Sequence, residues 1–254
     1  MWFGGILIAG LAGSAVASFQ ASISGPAAVT AASKNDGVSK GKNKWVAYKG
    51  DGSIEHGWPK KSQWVSFEYM WTSNKKNLYN GCKEHNVALN TEKEIAGIFN
   101  AIQQVAKESK VDHRFILAEI LQESTACVRV QTTKAPGDVE IFNPGLMQDH
   151  GGRNTCNCEV ADEYNQKCGV VKPCPNKTIL GMLRDGVQGT TKGDGLTGLI
   201  TKATKQGAKD AQIYYTAAWY YNKGDTGKKV GQEIGEYAQD IANRLTGWLG
   251  DKRA

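Results

Sequence analysis

The sequence predicts a mainly α-helical domain broken by one long irregular stretch that carries cysteines. Two observations support this. From Thr91 onward, and again from about residue 178, apolar residues recur at helical spacing. Between 131 and 178 the chain is rich in Gly, Pro, Asn and Cys and has little period, which in a compact domain usually marks a functional region. The 254 residues suit one domain of ordinary size with flanking segments, large enough to bury a core without disulfides.

The first charged residue is Lys34. Residues 1–17 are apolar and small, end in Ala15-Val16-Ala17, and read as a signal peptide, although a basic n-region is missing. A membrane anchor is the competing reading, but Trp2 to Val16 is shorter than the roughly 20 residues a span needs. Residues 18–44 read as a linker or pro-segment with little that can pack. Residues 45–90 differ. Trp45, Trp58, Trp64, Phe67, Tyr69, Met70 and Trp71 predict an N-terminal extension folded onto the main domain, which runs to about 250.

Thr91-x-x-Glu94 is a capping-box pattern, followed by Ile95, Ile98, Phe99, Ile102 and Val105 on one face. Asp112 can cap a second helix through Phe115, Ile116, Leu117, Ile120 and Leu121. Val128-Arg129-Val130 is β-branched at both ends and is expected to be extended. Further helices are expected near 178–187, 195–206, 208–222 and 233–249. Ile234, Tyr237, Ala238, Ile241, Ala242 and Leu245 mark the inner face of the last.

The net charge of +6 suits an acidic polymer as partner, but no basic block with interleaved aromatics speaks for nucleic acid. Six cysteines, Cys82, Cys127, Cys156, Cys158, Cys168 and Cys174, in a chain that reads as exported predict three disulfides. Their spacing is wrong for zinc. Asn176-Lys177-Thr178 is a glycosylation sequon. His56, His85, His113 and His150 form no metal-binding pattern, and no cofactor is expected.

Glu123 closes a helix that otherwise reads as core, and it shares a face with Glu119 and Ile116. Burial and the C-terminal end of the helix dipole would both raise its pKa. A carboxylic acid kept protonated near neutral pH is what a glycosidic leaving oxygen needs as proton donor. A plain surface glutamate is the alternative. Downstream, "NPGLMQDH" at 143–150 joins a glycine turn, two apolar residues and an amide, and "AWYYNKG" at 218–224 ends a helix in Tyr-Asn-x-Gly.

Taken in order, Glu-Ser at 123–124, Gly-Leu-Met-Gln at 145–148, Tyr-Asn-x-Gly at 221–224 and Tyr-Ala at 237–238 resemble the motifs of glycoside hydrolase family 23. That family includes soluble lytic transglycosylases and goose-type lysozymes. The resemblance spans roughly residues 45–249 and extends to secreted fungal members, which also share the "GWPKKSQWVSFEYMW" segment. It implies a lysozyme-like fold and cleavage of the β-1,4 bond between N-acetylmuramic acid and N-acetylglucosamine. By the same resemblance Glu123 is the general acid, Met147 and Gln148 line the sugar cleft, and Tyr221 holds the acid. Asn222 supports the cleft, Tyr237 joins the substrate-binding set, and Thr132 (or its neighbour Thr133) positions substrate.

The chain departs from the family in two ways. Glu119 stands where relatives usually carry an apolar residue. Asp138 and Asp149 bracket Gly-Leu-Met-Gln, but neither is in the register of the goose-type aspartates. A hydrolase that inverts needs a second carboxylate about 6.5–9.5 Å from the acid, and Asp138 and Asp149 are the candidates for that base. Each is also an ordinary turn residue. Transglycosylases dispense with the partner and leave a 1,6-anhydro end. The expected protein is thus a secreted, monomeric muramidase acting on peptidoglycan, with no stable membrane association after signal removal. The alternatives are a lytic transglycosylase, a chitin-active enzyme or a non-catalytic wall-binding protein. Six cysteines leave many pairings open. The working expectation is Cys82 with Cys127, tying extension to catalytic helix, and the other four paired within the irregular stretch.

Overall fold

A computed structural model describes residues 21–134, 141–158, 169–224, 227 and 229–251. The expected signal peptide, Asp138 and Cys168 lie outside these residues. Among the described residues the chain is mainly helical: α1 (Phe67–Ser73), α2 (Lys75–Asn80), α3 (Glu92–Ser109), α4 (His113–Ser124), α5 (Asn176–Gln188), α6 (Leu196–Lys205), α7 (Gln212–Lys223) and α8 (Glu236–Leu245). Two short strands, β1 (Thr133–Lys134) and β2 (Phe142–Asn143), pair antiparallel with Thr133 opposite Asn143. None of these helices is long and apolar enough to cross a membrane.

The core forms around α4. This helix is buried on nearly every side, from His113 and Arg114 through Leu121 to Ser124, with α1, α3 and α8 packed around it. A helix apolar around most of its circumference can only be an interior one. Asp112 starts it as expected, its side chain accepting from the Arg114 amide at 3.0 Å. It stops at Thr125 and Ala126, both in the left-handed region. There the turn lies against Gly81, where a Cβ would meet the Thr125 carbonyl oxygen at 1.9 Å, so only glycine fits. The Cys82–Cys127 disulfide fixes this contact.

The expected capping box is formed. Thr91 Oγ1 accepts from the Glu94 amide, and Glu94 Oε2 accepts from the Thr91 amide at 2.7 Å. Glu94 does more than cap. Its carboxylate is buried, pairs with the fully buried Arg129 guanidinium, and accepts from the Cys174 amide at 2.7 Å. Arg129 also donates to the Ala88 and Leu89 carbonyls. This explains a difference from expectation: Val128-Arg129-Val130 is a turn closed by the Val130 amide on the Cys127 carbonyl, because Arg129 must turn inward to reach Glu94. The irregular stretch is tied down by a second disulfide, Cys156–Cys174, and none of the described cysteines is free.

Residues 21–44 also differ from the linker expected there. Ile23 and Ala27 are buried in the core, and backbone bonds join Ile23 to Ser109, Val29 to Lys110 and Val38 to Trp64. Asp36 bonds the buried His113 ring at 2.8 Å. The aromatic extension packs as expected, with Trp58, Trp64, Phe67 and Met70 all buried. The last helix is shorter than its apolar period suggested, starting after Gly235 and ending before Gly247.

The Arg129 guanidinium, the Thr91 cap and the Cys174 amide hold the Glu94 carboxyl down at about 2 despite its burial. A depressed carboxyl contributes stability that is present above its unfolded value of about 4.3 and lost as pH falls toward 2. Glu94→Gln is therefore expected to destabilise the fold by about 3–5 kcal/mol at neutral pH, the usual cost of orphaning a buried partner. In urea unfolding at several pH values the gap to the parent should shrink below pH 4. A gap constant with pH would show that the charge contributes nothing.

Candidate functional site

The end of α4 opens on a cleft of about 660 Å³. Glu123 lies on its wall, with Thr133 and Asn143 from the β pair, Gln148 and His150 from the loop beyond, and Tyr220, Tyr221 and Asn222 from α7. Lys192, Lys202 and Lys223 make its rim cationic, with Asp194 among them.

The loop 145–148 is set against the acid helix from both sides. Ser124 Oγ lies 2.9 Å from the Ile120 carbonyl and 2.8 Å from that of Leu146. Tyr221 donates to the Met147 carbonyl at 2.8 Å. Gly145 makes the turn at φ +72°, and a Cβ there would meet the Asn154 carbonyl oxygen at 2.7 Å. Gln148 faces the cleft, donates to the Gly145 and Gln131 carbonyls, and accepts from Thr133 Oγ1 at 3.0 Å.

The acid has a different partner from the one expected. Tyr237 on α8, not Tyr221, reaches Glu123: its hydroxyl contacts Glu123 Oε1 and lies 2.5 Å from Glu119 Oε2. Glu119 is fully buried beside Glu123. Burial pushes the Glu123 carboxyl up to about 7 against the lowering effect of the tyrosine. Burial, with the neighbouring Glu123 charge, pushes Glu119 up to about 8. Behind the pair, Arg244 is buried, donates to Gln122 at 2.8 Å and stacks on Trp248.

Other expected site residues fall elsewhere. Met147 is fully buried, its side chain packed on Gly186, so the backbone of this residue rather than its thioether serves the site. Thr132 is buried and donates to the Asn157 carbonyl, while Thr133 is the one on the cleft wall. In extended chain adjacent side chains point to opposite sides, so only one of the two threonines faces the cleft. Asn222 is exposed at the cleft, as the resemblance implied. Asn176 is exposed in the first turn of α5, open as a sequon requires. Asp149 is not among the residues lining the cleft. It is buried against Gly152, and among the described residues neither carboxyl oxygen has a hydrogen-bond partner. Asn143, Tyr220 and the three lysines were not anticipated; only the overall positive charge hinted at the last group.

Comparison of the chain with protein-family models, with curated proteins and with solved structures gives no match.

Burial, and then the charge of Asp185, push Asp149 well above the ordinary carboxylate range. A raised carboxyl favours folding most at pH values below its unfolded value, about 3.9, and loses that contribution as pH rises. Asp149→Asn should therefore gain thermal stability relative to the parent between about pH 4 and pH 8. Differencing against the parent separates this group from Glu119 and Glu123. A difference that stays flat would mean that the side chain is solvated.

Proposed function

We propose that this chain is a secreted muramidase that cleaves the β-1,4 bond of peptidoglycan with Glu123 as general acid, on a lysozyme-like frame. The observation that carries this reading is a half-buried glutamate at a helix end, raised to about 7, held by a tyrosine and facing an open cleft. A group poised near neutral pH combines a large protonated fraction with a real tendency to donate. Three of the four motifs that resemble family 23 contribute residues to this cleft, Tyr237 of the fourth contacts Glu123, and a cationic rim suits a wall polymer bearing carboxylates. Disulfides fit an oxidising, extracellular setting.

In this reading Glu123 protonates the glycosidic oxygen as the C–O bond breaks. Tyr237 stabilises the carboxylate left behind by hydrogen bonding. Gln148, Thr133 and Asn222 offer hydrogen bonds to the sugar. Asp138 keeps the role of water-activating base, and Asp149 gives up that role because it is buried and does not line the cleft. The same placement of Asp149 favours a second reading, lytic transglycosylation. There the muramyl hydroxyl attacks in place of water and no second carboxylate is required.

Mass spectrometry of fragments released from purified peptidoglycan tests both readings. Glu123→Gln should lower release by about 10²–10⁴-fold. Reducing ends identify hydrolysis and anhydro ends identify transglycosylation. No fragments from a correctly folded parent would remove the muramidase reading, and chitin oligomers released instead would redirect it. In the parent, turnover should fall as pH rises through about 7, because the proton to be donated is then lost. A rate that kept rising to pH 9 would exclude Glu123 as the acid.

A further inference from the structure

The contact of one hydroxyl with two carboxyl groups sets a constraint on protons. Tyr237 Oη has a single hydrogen, yet lies within hydrogen-bond distance of both Glu119 Oε2 and Glu123 Oε1. It can donate to only one of them. The other contact is satisfied only if that carboxyl carries a proton and donates to Tyr237. Two ionised carboxylates facing one hydroxyl in a buried site would instead repel each other.

The surroundings decide which carboxyl holds the proton. Glu119 is fully enclosed and its second oxygen, Oε1, has no hydrogen-bond partner, which suits a neutral acid far better than a carboxylate. Glu123 has the cleft on its other side. The charged and titratable groups around Glu119 are Glu123 on its own helix, Tyr237 and Arg244 on α8, and Tyr221 on α7. Arg244 is itself held by Gln122, with Asp240 and Glu84 near it. Arg244 is the one cation in that set, and its Nε is taken by Gln122.

We propose that Glu119 is a positioning residue that stays protonated and donates its hydrogen to Tyr237 Oη, which turns the tyrosine hydrogen onto Glu123 Oε1. The acidic proton of Glu123 is thereby confined to Oε2, its remaining oxygen. When Glu123 gives that proton up, Tyr237 is already donating to the carboxylate that forms. No net proton moves between Glu119, Tyr237 and Glu123 during this step. Only the loss of the Glu119 proton at higher pH undoes it, by drawing the tyrosine hydrogen away and placing a like charge beside the acid.

The kinetic consequence rests on the glycosidase reading, but the proton arrangement does not, so the decisive test is a titration. Protein labelled with 13C at the glutamate carboxyl carbons is followed by NMR across pH, for the parent, Glu119→Gln and Tyr237→Phe. The parent should show two glutamates titrating above pH 6 with mutually distorted curves. Glu119→Gln should leave one, as a single step close to the lower step of the parent, because a neutral amide that donates to Tyr237 stands in for the protonated acid. Tyr237→Phe should move both remaining curves. A parent in which Glu119 titrates near 4.3, the ordinary glutamate value, overturns the proposal, as does a Glu123 curve that Glu119→Gln moves far to lower pH, the sign of a charge at 119 while Glu123 titrates. With peptidoglycan as substrate, Glu119→Leu should lower kcat about tenfold with KM kept, the equivalent of one lost hydrogen bond, and Glu119→Gln should recover most of it below pH 7. Equal kcat in the parent, Leu and Gln proteins would overturn the positioning role. An inactive parent with coupled curves would remove the enzyme reading and leave the shared proton standing. If the Leu protein does not fold, the titration of the Gln and Phe proteins still decides.

Discussion

The buried pair of Glu94 and Arg129 organises the region that the helices cannot. One carboxylate closes the start of α3, receives the guanidinium from the turn after α4, and accepts the amide of the disulfide-bonded Cys174. Arg129 in turn reaches the Ala88 and Leu89 carbonyls, and its own carbonyl accepts from Asn157. Four chain segments with no shared secondary structure thus converge on one ion pair. Neither partner can be given up alone, because the survivor would be a bare charge in the interior. The cleft wall formed by Thr133, Asn143 and Gln148 lies beyond this junction and depends on it for its position.

A second cost is concentrated in the last turns of α4 itself. Burying that helix on nearly every side gives the fold its centre, yet it carries two glutamates, one fully buried at 119 and one half-buried at the cleft at 123. The domain accommodates them with one phenol and with protons, not with a paired cation. Stability is therefore lower than an apolar residue at 119 would give, and the loss grows as pH rises through the range in which these groups ionise. Such a local conflict between sequence and fold is the kind found at functional sites.

Local pattern made much of this legible. The Thr91–Glu94 box, the Asp112 cap, the inner face of α8 and the packing of the aromatic extension all follow from spacing over a few residues. The pairing of Cys82 with Cys127 agreed with expectation, and that of Cys156 with Cys174 fell within the irregular stretch as anticipated. What was not legible depends on contacts between distant segments. Tyr221 and Tyr237 are equivalent as text; which one meets Glu123 is fixed by how α8 lies on α4. Met147 and Gln148 exchange inside for outside because Gln148 adopts φ +46°. Residues 21–44 looked like a tether because few of them are large, yet Ile23, Ala27 and a handful of backbone bonds suffice to hold them.

The segment around residues 45–65 meets α8. Trp45 bonds Asp240, Val46 exchanges two hydrogen bonds with Asn243, and the Val65 amide is closed by the Leu245 carbonyl. During synthesis the first segment emerges nearly two hundred residues before its partners. Until α8 is released, Trp45 lacks Asp240, Val46 lacks Asn243, and the tyrosine that holds Glu123 is still unmade. Contacts this distant in sequence form late and close slowly. The site is thus completed only when α8 leaves the ribosome, and a nascent chain halted before residue 237 would carry Glu123 without the tyrosine that contacts it.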